Sequence, residues 1–390
     1  METLILSWFV MVQTESVLLL TLFSSLQFLG TLAGPIFGVL GDRLGARTML
    51  CALRGIYAAL AALVMLLAAT SMLTPAWVFA IAALTGFFRP QDLVMRNAII
   101  GATIPAGNRM GAIGLSRASS DSARVTGALT GAGLSALLGI ASAYAVVTLF
   151  YVGSLVLSFG IARVGRVPDP TGAAHEAPTA RGASRRDLTD GLRHVLTTPR
   201  LLAAMWLAFM INLTAYPPSH GLLPYAARHV YGADATGLGW LVASFAFGGL
   251  LASVTMVASG GPRRPERPML VFTALWYALL LGFGHVQTLA AGIAILMTAG
   301  YMQNIALISM TVSLLDAAGE RFRGRVMGVR SLVVYGLPIG LIVAGALIDR
   351  IGYPVTITLF SAIGLASTLL IGVRWRDSLW GPPRLAADRV

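Results

Sequence analysis

Gly38-Val39-Leu40-Gly41-Asp42-Arg43-Leu44-Gly45-Ala46-Arg47 is a short charged stretch between two long apolar segments. The apolar run 17–40 leads into it and the run 48–69 follows it. Each run is long enough to cross a bilayer, which takes about 20 apolar residues in a helix. We therefore predict two membrane helices joined by a very short polar loop.

The types and order of the loop residues carry a resemblance to a known family. Gly38 allows a neighbouring helix to approach closely, and Gly45 can adopt a positive φ to reverse the chain. Asp42 with Arg43 and Arg47 forms a compact charged group at the membrane surface. In spacing and position, this pattern resembles the signature loop between helices 2 and 3 of the major facilitator superfamily.

The resemblance implies a gate at the inner side of the membrane. In that family the loop contacts helix 4 and the start of helix 11 when the inner side is closed. Here the matching helix-4 residues are Asp92 and Arg96, with Arg43 or Arg47 expected to meet Asp92. Asp42 is expected to meet the positive end of the helix 11 dipole. The chain departs from the family at Ala46, where a basic residue is usual.

Composition places the protein in a membrane. Of its 390 residues 56% are hydrophobic and only 11% are charged, and the mean hydropathy is +0.78. A soluble domain has roughly a quarter charged residues. The net charge of +12 comes entirely from arginines placed between apolar segments, a distribution that excludes a nucleic-acid-binding protein. The sequence shows no catalytic constellation, phosphate-binding loop or metal-ligand spacing, so we expect no enzyme activity, cofactor or metal.

The apolar segments predict an all-α membrane protein made of two six-helix bundles, the major facilitator fold. The run 3–12 is too short to span, and we interpret it as the outer part of a first helix that is truncated or begins upstream. The other eleven helices are predicted near residues 17–40, 48–69, 76–97, 116–138, 143–163, 201–221, 237–258, 269–284, 288–313, 326–348 and 354–373.

The positions of the arginines predict how the protein is oriented in the membrane, and the long polar linker divides the chain into domains. With the Asp42 loop inside, 26 of the 28 arginines fall on the inner side and only Arg228 and Arg350 fall outside. We expect a multi-pass protein of the bacterial inner membrane whose central linker and C-terminus are cytoplasmic. Within the linker, 187–196 reads as an amphipathic helix on the inner membrane surface. The predicted parts are an N-terminal bundle (1–163), the linker (164–199), a C-terminal bundle (200–374) and a tail (375–390).

Helix 5 carries small residues and charges. Arg124, Gly127 and Gly131 are similar to part of the glycine-rich helix 5 motif of exporters in the same family. The alternative is a close-packing seam with no further role. Arg117, Asp121 and Arg124 share one helix face, so Asp121 is a candidate coupling residue, and a static salt bridge is the alternative.

A substrate path needs polar groups deep in the membrane. Glu15 and His220 are expected near the outer surface, which argues against a coupling role for either. Interhelical hydrogen bonding is the alternative role for the path candidates. These candidates are Asn212, Tyr301, Gln303 and Asn304.

The whole pattern resembles the branch of enterobactin exporters and of macrolide and multidrug efflux proteins. It implies a monomeric secondary transporter that exports small amphipathic, drug- or siderophore-like molecules by alternating access, with protons as the coupling ion. The lipid bilayer and the small-molecule substrate are its expected partners. The alternative is a membrane scaffold or sensor that keeps the fold without transporting.

Overall fold

The computed structural model describes residues 1–33, 44–103, 109–160, 185–262 and 264–380. All regular structure in these ranges is helical, which confirms the predicted all-α class. The first half contains α1 (Glu2–Thr14), α2 (Val17–Leu26) with a 3-10 turn (Leu29–Ala33), α3 (Ala46–Ala69), α4 (Pro75–Thr103) and α5 (Arg109–Phe159).

The second half begins with an amphipathic helix and ends with a short one. Its elements are α6 (Arg185–Thr197), α7 (Pro199–Met210) with its continuation to Val230, α8 (Ala235–Ala258), α9 (Glu266–Phe283), α10 (Leu289–Val333), α11 (Gly336–Ile351), α12 (Tyr353–Arg374) and α13 (Arg376–Leu379). Within the described ranges, seven helical stretches are long and apolar enough to cross a membrane.

A glycine divides α5 into two membrane passes. The apolar stretch Ser119–Phe159 has 41 residues, so a straight helix would be about 60 Å long, twice the thickness of a bilayer core. Gly139 interrupts it with φ 80° and ψ 174°, a conformation that only glycine adopts at low cost. The break falls between the predicted helices 116–138 and 143–163, and Gly319 interrupts α10 in the same way.

Two close helix crossings join the halves. At the first, a Cβ added to Gly345 of α11 would lie 3.3 Å from the Cβ of Thr21 in α2. At the second, a Cβ on Gly239 of α8 would overlap the side chain of Ala132 in α5. Small residues at these points let the backbones approach, which is how helices associate where lipid removes the hydrophobic driving force.

The seventh membrane segment, counted along the chain with the run 3–12 as the first, is the most buried of these long apolar stretches. It runs from Pro199 to Val230, and 67% of its apolar window is buried against other helices. The helix widens into π-turns at Ile211–Ala215, Pro217–Gly221 and Ala226–Val230. The prediction that this helix ends at residue 221 is therefore wrong, because π-turns accommodate the two prolines at 217 and 218 without stopping the helix.

The linker helix α6 docks against the second half. Val195 is buried, and the His194 ring stacks on Phe322 with 4.3 Å between centroids. Leu192 and Leu196 remain exposed. The predicted amphipathic helix is thus present, and its apolar residues divide between a protein-facing side and an open side.

Candidate functional site

The signature loop is only partly within the described residues. Gly38, Asp42 and Arg43 lie outside them, so their gate role stays a prediction. Gly45 has φ 85° and precedes the first residue of α3, as expected for a chain reversal. Arg47 donates a hydrogen bond to the carbonyl oxygen of Phe159, at the end of α5.

Asp92 forms an ion pair that the sequence analysis missed. Its carboxylate lies 2.9 Å from the guanidinium of Arg54 in α3. Arg54 follows the start of α3 by eight residues, which places it about 12 Å into the helix. The expected partner was Arg43 or Arg47; the side chain of Arg96, the other helix-4 residue of the predicted gate, lies outside the described part of the chain.

A second set of polar and charged side chains surrounds the first residues of α1. Glu2 accepts a hydrogen bond from the hydroxyl of Tyr151 at 2.9 Å. Arg89 donates to the Thr3 hydroxyl at 3.0 Å and to the Gln27 amide oxygen at 2.9 Å. Together with Arg54 and Asp92, these groups form a charged cluster in the first half, in which Glu2, Arg54 and Arg89 line one cavity.

The charges of helix 5 form one loose contact. The carboxylate of Asp121 lies 4.0 Å from the guanidinium of Arg124, and the Arg124 side chain is 62% exposed. The side chain of Arg117 lies outside the described residues. The face shared by Asp121 and Arg124 is therefore observed, and the coupling role of Asp121 stays a prediction.

The small residues of helix 5 contact two neighbours. Gly127 and Gly131 face Met1 at the start of α1, where a Cβ on Gly127 would lie 3.6 Å from the Met1 nitrogen. Ala128 and Ala132 face α8 at Gly239. The motif thus serves close packing, as the alternative interpretation expected, and its link to export stays a prediction.

Two of the predicted path residues are engaged in hydrogen bonds. The Asn304 amide donates to the Gly249 carbonyl oxygen and, at 2.8 Å, to the Ser253 hydroxyl, which ties α10 to α8. The Asn212 amide donates to the Ala208 carbonyl oxygen within its own helix. These bonds agree with the alternative reading, interhelical or local hydrogen bonding. Gln303 is buried and Tyr301 is half-buried, and their role on a path stays a prediction.

His220 lies within the seventh membrane segment, and its predicted place near the outer surface stays a prediction. It stands ten residues before Val230, where the seventh segment ends, or about 15 Å from that end. Phe245 lies the same number of residues after the start of α8, and its ring centroid is 4.9 Å from the His220 ring.

Aromatic rings from three helices meet around His220. Tyr216 stands one turn earlier, with its ring centroid 5.0 Å from the imidazole. The Tyr216 ring also meets Trp276 of α9 at 5.6 Å. The signal was present in the sequence, because Tyr216 and His220 are four residues apart and share one helix face. What the sequence lacked was the rotation of the helix that turns this face inward.

Comparison with known proteins gives a family and a fold. The family model described as Major Facilitator Superfamily matches residues 3–222, more than half of the chain. No curated protein matches the sequence. Among solved structures, the chain is similar to the human organic anion transporter MFSD10 (TETRAN), with a TM-score of 0.64 and 18% sequence identity. The similarity covers 91% of this chain and 83% of the human one, and at this identity it shows the fold alone.

Proposed function

The chain belongs to the major facilitator superfamily of membrane transporters, and from this premise we propose that it exports small amphipathic molecules by proton-coupled alternating access. The cargo class is drug- or siderophore-like. The protein acts as a monomer in a bacterial inner membrane, with its arginine-rich side in the cytoplasm. The similar human protein is an organic anion transporter, which supports small organic molecules as the cargo class.

The observation that carries this proposal is the way in which the two halves meet. They touch along the crossings of α2 with α11 and of α5 with α8, where small residues such as Gly345 and Gly239 allow backbone contact. Flat contacts of this kind can pivot without exposing a large side-chain interface. Alternating access needs one bundle to rock against the other around a central site.

The gate and the coupling group complete the proposal. Asp42, Arg43 and Arg47 close the inner side, together with Gly38 and Gly45 in the loop. Asp92 and Arg96 of helix 4 receive them, with the Arg54–Asp92 ion pair holding the Asp92 carboxylate in place. Asp121 is the proposed coupling residue, since its carboxylate shares one helix face with Arg124 and makes only a loose contact with it, at 4.0 Å.

Reconstituted protein provides the test. Purified protein in proteoliposomes is exposed to candidate siderophores and lipophilic drugs in turn, and proton movement is followed with a pH-sensitive dye. We expect a cargo-dependent proton flux that Asp42→Asn and Asp121→Asn abolish. Asp377→Asn, at a side chain that is 95% exposed, serves as the matched control and should retain the flux. No flux across the panel from folded protein would contradict the proposal and favour the scaffold or sensor.

A further inference from the structure

The imidazole of His220 has no hydrogen-bond partner among the described residues, although its helix is the most buried membrane segment. The side chain is exposed, whereas Pro218, Ser219 and Leu222 beside it are buried. The exposed imidazole therefore borders an open space that the rings of Tyr216 and Phe245 flank, and this space is called the opening below. Its two nitrogens can each take a hydrogen bond from or give one to a ligand in that opening.

Arg124 brings a charge to the same opening from the other half. It precedes Ala132 by eight residues, and Phe245 follows Gly239 by six. Ala132 and Gly239 mark the crossing of the antiparallel helices α5 and α8. Both side chains therefore lie about 9–12 Å from the crossing on the same side of it.

The balance of charge at this opening is positive. The nearest carboxylate to Arg124 is that of Asp121, at 4.0 Å and without a hydrogen bond. The helix α8 contributes no charged residue over Ala235–Ala258. From α11, Leu341 is the side chain that touches Gly221, the neighbour of His220. Beyond this contact, the described residues offer the Arg124 guanidinium no hydrogen-bond acceptor. Its N–H donors can therefore bind a ligand, and a guanidinium fork matches a carboxylate.

We propose that this opening is a binding site for aromatic carboxylates. The carboxylate binds the Arg124 guanidinium and accepts a hydrogen bond from a His220 N–H group. The aromatic ring packs against Phe245 and Tyr216, whose rings already flank the imidazole. The site spans both halves, since Arg124 belongs to the first and the other three to the second. This inference rests on the proposed function and narrows its cargo to anionic aromatic molecules.

The test compares three ligands of one shape and different charge. Equilibrium dialysis of detergent-purified protein measures the affinities for 2-naphthoate, 2-naphthamide and 2-naphthylmethylammonium. We expect the carboxylate to bind at least about tenfold more tightly than the amide, as charged hydrogen bonds in a partly dehydrated site should give. The ammonium compound should bind most weakly.

Substitutions test which side chains produce the preference for the carboxylate. Arg124→Gln should reduce the preference for the carboxylate over the amide to less than about threefold. His220→Ala should weaken binding of the carboxylate. His220→Gln keeps an N–H donor and should therefore retain part of the carboxylate affinity. The matched controls are Arg228→Gln and His229→Gln, because Arg228 meets Glu15 at 3.7 Å and the His229 ring lies 4.7 Å from the Tyr225 ring. Both controls should bind like the parent. Gel filtration and the melting temperature verify that each variant is folded.

Three results would overturn the inference: equal affinity for carboxylate and amide, preference for the ammonium compound, or a carboxylate preference that survives Arg124→Gln in folded protein. The proposed function fails separately. Naphthoate binding without any coupled flux in proteoliposomes would contradict the proposed transport but not the proposed binding site. Coupled flux of neutral or cationic cargo without naphthoate binding would contradict the proposed binding site but not the proposed transport.

Discussion

At the scale of single residues, the structure shows where charge is stabilised inside or beside the helices. Glu266 is an example, because it is buried at the first turn of α9 and pairs with Arg200 at the start of α7. A carboxylate taken out of water is stable only with such a partner. Arg54 with Asp92 repeats this arrangement in the first half.

Glu266→Ala should lower the stability of the protein by about 2 kcal/mol, because Arg200 then loses the carboxylate that neutralises it at a partly buried site. The Arg200 side chain is 42% exposed, so water compensates part of the loss. The measurement is thermal unfolding in detergent. Asp377→Ala is the control, since the exposed pair of Asp377 with Arg376 should contribute less than about 0.5 kcal/mol. Equal melting temperatures for the two variants would contradict the assignment.

At the scale of elements, small residues determine which helices can meet. The crossing of α5 with α8 has Ala128 and Ala132 on one side and Gly239 on the other. The same α5 carries Gly133, where an added Cβ would meet nothing within 4 Å. Neighbouring small residues on one helix thus differ in what they permit, and only the packing distinguishes them.

Gly239→Ala should therefore destabilise the protein by about 1–3 kcal/mol and impair transport, because the new methyl group forces α5 and α8 apart. The added Cβ would also lie 3.3 Å from the Ala128 carbonyl oxygen, which the backbone holds in place. Gly133→Ala, the matched control, should be neutral or stabilise by up to about 1 kcal/mol. Thermal unfolding of both purified variants checks this, and a loss of stability in Gly133→Ala alone would count against the crossing.

At the scale of the whole molecule, two halves meet along small-residue crossings and enclose the seventh segment. Thr21 and Gly345 define one crossing, toward the side that holds few arginines. Glu15 and Arg228 add an ion pair between the halves at 3.7 Å. If the halves rock during transport, these contacts must open and close in each cycle.

A disulfide across the first crossing should stop that motion. The Cβ of Thr21 would lie 3.3 Å from a Cβ at position 345, close to the separation found in disulfides. In a Cys51→Ser background, Thr21→Cys with Gly345→Cys should lose maleimide reactivity on mild oxidation and lose coupled flux, and reduction should restore both. Each single variant should keep its reactivity and flux. Full flux in the oxidised double variant would contradict rocking about this crossing.

Much of the fold could be predicted from the sequence, and less of the site. Apolar lengths predicted both ends of α8, α9 and α12 within a few residues. The other bounds differ: the seventh segment continues to Val230 beyond the predicted residue 221, α10 continues to Val333 beyond residue 313, and α11 begins at Gly336 instead of residue 326. Gly45 was predicted to adopt positive φ and does. The partner of Asp92 and the ring contacts of His220 were missed, because both depend on how neighbouring helices are rotated.

The sequence by itself determined the membrane environment, the helical class and the approximate limits of most spans. These follow from local physics, since every peptide group in lipid must be hydrogen-bonded within a helix and each apolar length must match the bilayer. Only the tertiary structure decided that Asn304 ties α10 to α8, that Arg54 meets Asp92, and that the His220 ring meets Phe245 of α8. In lipid, apolar residues cover all sides of a helix, so hydrophobicity does not indicate which side faces protein. Close packing of small residues makes that choice.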